Sequence, residues 1–215
     1  MSNKSIRPRG RPSSKADPVS QQAVLAAAFQ VFMTQGYDSA TIRQISSLAG
    51  VSTALLNHMF GTKEALWFEA VEAAYGPIHE QQMEVLRASL HPTDRAGAVD
   101  LSESMRGVLH SLLGKPGLLA FLYREGEQEN RRAAFLRARY LRPIMDVLWE
   151  MYLHGSKKRQ LGRIGFEALM LGAPRLLVFP ILLIGEGTDV ASSEMAHVAD
   201  EVVDVLVASL FSIGG

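Results

Sequence analysis

The sequence predicts an all-α protein, with a three-helix N-terminal unit of helix-turn-helix type joined to a larger helical C-terminal unit. Three observations lead there. Strong helix formers (Ala, Leu, Glu, Gln, Arg, Met) are plentiful, while alternating strand-like runs are scarce. Apolar residues recur at helical spacing along most of the 215 residues, and a hydrophobic share of 47% is enough for a substantial core. Finally, Thr41–Lys63, TIRQISSLAGVSTALLNHMFGTK, reads as two short helices set at an angle around a glycine turn.

Residues 1–16 are polar, carry two prolines and show no apolar periodicity, which predicts a disordered basic arm. Within it, Pro8-Arg9-Gly10-Arg11-Pro12 resembles the core of an AT-hook. Arg9 and Arg11 are candidates for the narrow, strongly negative minor groove of A·T-rich DNA. The alternative is a solubilising tail. The first helix is expected from Pro18 to Gln35, capped by Asp17, with Val24, Leu25, Ala28, Phe29 and Phe32 facing inward and Gly36 ending it.

Thr41 opens the next helix, and its hydroxyl either caps the backbone or reaches a phosphate. Ile42, Ile45 and Leu48 form that helix's apolar face. Gly50 suits the tight turn, and Ser52 suits the N-cap of the following helix. There Leu56 and Phe60 point to the core, leaving Thr53, Ala54, Asn57 and His58 outward. Such a helix reads base edges in the major groove. Asn57 matches adenine N6 and N7, whereas Thr53 and Ala54 suit a thymine methyl. His58 either contacts phosphate or stacks on Tyr37 or Phe60. Arg43, Gln44 and Lys63 are further candidates for the DNA backbone.

A long helix is expected from Lys63 to Leu90, kinked or broken by Pro77. His91–Asp94 reads as a loop and Arg95–Leu113 as a helix. Leu118–Glu125 reads as a short apolar helix, and Arg131–His154 as a long one bent near Pro143. The run Arg131, Arg132, Arg137, Arg139, Arg142 reads as a solvated face rather than an anion site. Gly155–Gly162 is a basic loop. Phe166–Ile184 is strongly apolar, but Arg175 at its middle would cost about 2.5–3.5 kcal/mol in a bilayer, so a buried helix is expected there and no membrane partner. Ser192 or Ser193 caps a last helix in which Met195, Val198, Val202, Val205, Leu206 and Leu210 repeat.

The net charge of zero conceals an asymmetry. Residues 1–63 carry seven basic and two acidic side chains, a net of +5, so the remainder carries −5. One end of the molecule is thus suited to phosphate. With no cysteine there is neither a disulfide nor a thiolate site. The six histidines show no HExxH spacing, and no GxSxG, GxxxxGK[ST] or GxGxxG occurs, so neither catalysis nor a cofactor is expected. His79-Glu80 and His110-Ser111 read as surface or hydrogen-bonded pairs. The polar N-terminus lacks a signal-peptide stretch, which predicts a cytoplasmic protein.

Gln21–Val71 resembles the DNA-binding domain of the TetR family of transcriptional regulators. The resemblance is carried by the Ala-rich first helix, Gly36-Tyr37, Thr41, Ile45…Ala49-Gly50-Val51-Ser52 and Phe60-Gly61-Thr62-Lys63-Glu64. The chain departs from the family at Asn57, where many members carry an aromatic side chain, and at Met59, where many carry His. The resemblance implies a helix-turn-helix domain over 17–64 and an effector-binding and dimerisation domain over 65–215. It further implies a homodimer on a palindromic operator, most often a repressor released by a small molecule. Its pocket would lie among the helices between Leu101 and Phe179, where His110, Phe121, Arg124, Trp149 and Tyr152 combine bulk with polar handles. The alternative is a DNA-binding or helical interaction protein without an effector.

Overall fold

The computed structural model describes residues 20–90, 101–113, 115–155, 161–172 and 192–212. They form α1 (Gln21–Ser39), α2 (Ile42–Ala49), α3 (Thr53–Phe60), α4 (Lys63–Leu90), α5 (Leu101–Leu113), α6 (Pro116–Gly126), α7 (Arg131–Leu136) and α8 (Arg142–Gly155). Helical residues 163–172 make α9, and Ser192–Ser212 make α10. Among the described residues there is no strand. The fold is all-α, a helix-turn-helix unit followed by a larger helical unit, as the composition and periodicity predict.

Local chemistry fixes most helix ends. α1 starts later than expected because Ser20, not Asp17, is its N-cap: the Ser20 hydroxyl accepts from the Ala23 N–H at 3.2 Å. Gly36 reverses the chain with φ 77° and ψ 165°, a region open essentially to glycine, and one more helical turn follows to Ser39. α2 begins with a capping box. Thr41 Oγ1 accepts from the Gln44 N–H at 3.2 Å, while Gln44 Oε1 accepts from the Thr41 N–H at 2.9 Å. Gly50, left-handed at φ 68° and ψ 27°, ends it. The sequence places Leu48 on the buried face of α2, yet it is 51% exposed, because the eight-residue helix rolls its seam toward Ile45.

Two cores result. The first gathers Phe32, Ile45, Leu56, Phe60, Leu66, Trp67 and Val71 from α1–α4, and continues without a gap into Leu119, Phe121, Leu136 and Tyr140. The second packs Met83 and Leu86 of α4 against α5, α8, α9 and α10 through residues such as Met105, Leu148, Tyr152, Phe166 and Leu210. The α4 helix serves both, and Pro77 is accommodated inside it without ending it. The single helix expected over Arg131–His154 is divided ahead of Pro143 by a π-helical segment, Arg137–Leu141, that joins α7 to α8. Residues 1–19, 91–100, 114, 156–160, 173–191 and 213–215 lie outside the described residues. With them go the predicted arm, Asp17, Pro18, the His91–Asp94 loop and Arg175.

Two expectations about polar groups are corrected. The arginine run is a solvated face only in part: Arg131, Arg137 and Arg142 are exposed, although Arg131 reaches Glu64 at 3.1 Å, whereas Arg132 is withdrawn against Glu125 and Arg139 pairs with Glu72 at 2.6 Å. Arg137 donates to the Gly126 carbonyl at 2.8 Å. The chain folds α7 back on α4 and α6, where carboxylates wait, and sequence spacing alone does not reveal that. Nor is His79 a surface residue; it is 2% exposed between Tyr75 and Tyr140, and its Nδ1 has no partner among the described residues.

Burial, reinforced by the Arg139 charge, lowers the His79 pKa below its ordinary value. The unfolded chain therefore binds more protons than the folded one once pH falls below about 6.5, and stability drops across that window. His79→Phe is expected to reduce the fall in melting temperature between about pH 7 and pH 5 relative to the parent chain, read by circular dichroism. Loss of the capping box by Thr41→Ala should cost about 1 kcal/mol, and a thermal melt would register it as a drop of about 2–4 °C.

Candidate nucleic-acid interface and internal cavity

The α3 helix is held by its apolar side and offers the other. Leu56 and Phe60 are buried, whereas Thr53, Ala54, Asn57 and His58 are all exposed. Ser52 is the N-cap, its hydroxyl accepting from the Leu55 N–H at 3.1 Å, so that oxygen serves the helix. The His58 ring faces solvent, while Tyr37 stacks instead on Phe32 at 5.9 Å. Exposed Leu55, 43% accessible on the same helix, escapes a reading based on polar groups alone. An apolar residue outside the 56/60 seam is the signal that would have found it.

Around α3 the other predicted residues divide. Arg43 is exposed near the start of α2. Thr41 and Gln44 are committed to the capping box, and Gln44 Nε2 also donates to Gln35 Oε1 at 3.0 Å. Lys63, the first residue of α4, is half-buried. Its ammonium donates to the Asp38 carbonyl at 3.4 Å and lies 4.4 Å from the centre of the Tyr37 ring. Burial lowers its pKa, the Arg132 charge acting in the same direction and Asp38 against it. Arg9 and Arg11 lie outside the described residues.

Within the larger unit is a cavity of about 760 Å³. Its walls are apolar, including Met105, Leu109, Leu119, Ile144, Leu148 and Leu206. Tyr75 and Tyr140 line it too, but their hydroxyls donate elsewhere, to Gln82 Oε1 at 3.1 Å and Glu72 Oε2 at 2.7 Å. Burial pushes the Tyr75 pKa up to about 12, and burial with the Glu72 bond raises that of Tyr140, so both stay neutral phenols. Polar groups gather at one border, Gly126–Glu129 and Arg137.

The five side chains expected around a ligand are not among the cavity's lining residues. His110 Nε2 meets Asp200 Oδ1 at 2.9 Å. Phe121 is fully buried against Phe29 and Trp67, and Arg124 donates to the Met33 carbonyl at 2.8 Å. Trp149 and Tyr152 stack on each other, and Phe166 meets the first edge-on and the second at a tilt. Leu and Met carry no polar handle, so a search for bulk plus polarity passes over the residues that do form the wall.

Residues 24–70 match the family described as bacterial regulatory proteins, tetR family. The chain is 32% identical over 138 residues to the HTH-type transcriptional regulator BetI of Rhizobium meliloti (strain 1021), covering 63% of this chain and 67% of BetI. It is 27% identical over 177 residues to the HTH-type transcriptional regulator UidR of Escherichia coli (strain K12), covering 82% and 84%. Among solved structures, FadR from Bacillus subtilis in complex with stearoyl-CoA superposes with a TM-score of 0.68 at 17% identity, over 88% of this chain and 98% of that one. FadR from Bacillus halodurans gives 0.66 at 18%, over 89% and 97%. Among the described residues no helix is long and apolar enough to cross a membrane. With its capped helix-turn-helix, its exposed α3 face and a regulator relative matched over two thirds of that relative's length, the chain belongs to the TetR family of DNA-binding transcriptional regulators.

Proposed function

We propose that the protein is a cytoplasmic, ligand-responsive repressor that binds a palindromic operator as a homodimer and is released by a small molecule. The observation that carries this reading is the pairing, in one chain, of an exposed α3 face with a large apolar cavity, linked by α4, which packs against α3 and lends Tyr75 to the cavity wall. DNA binding is assigned to residues 17–64, effector binding and dimerisation to 65–215. Arg43, Thr53, Ala54, Asn57, His58 and Lys63 are the proposed contacts, with Arg9 and Arg11 on the arm. Thr41, Gln44 and Ser52 support that surface as caps. The partners are double-stranded DNA, an effector and a second copy, and no catalytic step is assigned.

Dimerisation is supported by apolar side chains exposed on α9 and α10 among the described residues: Ile164 at 85% exposure and Val205 at 65%. Two α3 helices related by a two-fold axis would enter successive major grooves about 34–36 Å apart. An effector acts only through its differential affinity for the DNA-competent and released arrangements.

The cavity sets the effector's chemistry. Its apolar walls and already-bonded phenols suit an aliphatic or aromatic body, with any polar end at the Gly126–Arg137 border. The acyl chain of the stearoyl-CoA bound by FadR is a body of that kind.

Fluorescence anisotropy on the DNA upstream of the coding region, against a scrambled duplex over a salt series, tests the reading. Tight binding to the first alone, with log K falling steeply against log salt, is expected. Equal weak binding there and no duplex recovered from a random pool would refute it. Asn57→Ala should lower affinity for the cognate duplex by about tenfold and leave scrambled DNA unaffected. Nile red, a neutral apolar dye, should brighten on binding the protein, and Leu109→Trp, which fills the cavity, should abolish that signal while keeping operator binding. Dye binding that survives the substitution would place the apolar site elsewhere.

A further inference from the structure

One charged side chain reaches across the junction between the two units to an aromatic ring of α1. Arg132, at the start of α7, is 13% exposed, and its Nε donates to Glu125 Oε2 at 3.2 Å, with Glu125 only 6% exposed. The same guanidinium lies 3.6 Å from the centre of the Tyr37 ring in α1 and 5.9 Å from that of Trp67 in α4. Tyr37 is also the ring beside which the Lys63 ammonium rests. On the other side, Glu125 immediately precedes Gly126–Glu129, the polar border of the cavity, whose Gly126 and Gln128 carbonyls accept from Arg137. One arginine thus touches the cavity border's neighbour and the aromatic seat of a helix-turn-helix lysine.

An ion pair so withdrawn from water is not explained by stability, since an apolar pair of similar volume commonly does as well. What arginine adds is geometry: a planar group that bonds a carboxylate along its edge while stacking on a ring. We propose that Arg132 is a positioning residue for DNA binding: anchored by Glu125, it fixes the Tyr37 ring and thereby sets where the Lys63 ammonium meets the DNA backbone. The inference rests on the reading of Lys63 as a phosphate contact. It also gives that contact a link to the cavity border, because a ligand that shifts Gly126–Glu129 moves the carboxylate anchoring Arg132.

The test is a double-mutant cycle on the full chain, with a duplex selected by the parent chain from a random pool. Lys63→Met should weaken binding by about tenfold and lower the salt slope by about one. Glu125→Gln combined with Arg132→Met, which leaves no buried lone charge, should give the same loss and slope with an intact melting transition. Adding Lys63→Met to that pair should cost nothing more. Losses that add, or parent-like affinity in the Glu125/Arg132 variant, overturn the positioning role while leaving DNA recognition standing. An unchanged salt slope in Lys63→Met overturns the phosphate reading and the proposal with it. Should the pair variant lose its melting transition, Arg132→Lys, which keeps the charge against Glu125 but not the planar stack, takes its place in the cycle under the same criteria.

Discussion

The molecule closes around Trp67. Its ring is fully buried on α4, with Phe68 at 5.4 Å, Phe121 at 6.0 Å and Phe135 at 6.3 Å, so aromatic groups from α4, α6 and α7 converge on it. Contacts of this kind add about 0.5–1.5 kcal/mol each beyond the area they bury. Because α4 begins in the helix-turn-helix unit and ends in the second core, this packing makes the two units share a wall. Neither can tilt without disturbing the other. The indole Nε1 finds no partner among the described residues, a cost of about 1–3 kcal/mol that the apolar surroundings of the ring must offset.

Charge is arranged on that wall in an orderly way. Glu64, Glu72 and Glu125 each take an arginine from α7 or the π segment, and Glu72 also accepts from Tyr140. Burial acts to raise the Glu72 pKa, but the bonds from Tyr140 and Arg139 outweigh it and hold the carboxylate ionised. Gly76 lies beneath this carboxylate, where a Cβ would stand 3.2 Å from Glu72 Oε1. The cavity floor and α4 are thereby stitched together by polar groups whose partners are all within the fold.

What the sequence made legible is local. Thr41, Gly50 and Ser52 lie close in sequence to the backbone groups they serve, so spacing alone announces the turn and both short helices, whereas Gln44, read as a DNA contact, closes the capping box instead. The outward set Thr53, Ala54, Asn57, His58 follows from one seam, 56/60. Leu48 misled because an eight-residue helix offers too few turns to define its roll. The arginines and the cavity were not legible, since each depends on partners distant in the chain: Arg139 and Glu72 are 67 residues apart, Arg131 and Glu64 likewise. A ligand wall of Leu, Ile and Met carries the same signature as any core. His79 illustrates the opposite error, a polar residue read as exposed or hydrogen-bonded that the fold in fact buries without a partner for Nδ1 among the described residues.

The π segment between α7 and α8 has a consequence of phase. A wider turn takes up roughly one extra residue, and at 3.6 residues per turn each residue rotates a helix by about 100°. Everything downstream is therefore turned by about a quarter of a revolution relative to an unbroken α-helix. Ile144, Met145 and Leu148 line the cavity, and Leu136 lines it from the other side of the segment. The five residues Arg137–Leu141 act as a phase shifter between them. Were the same residues wound as a regular α-helix, α8 would turn by that quarter of a revolution, carrying Asp146 and Glu150 into the places that the buried Val147 and Met151 now hold, and the packing behind the chamber would fail without a single residue having changed.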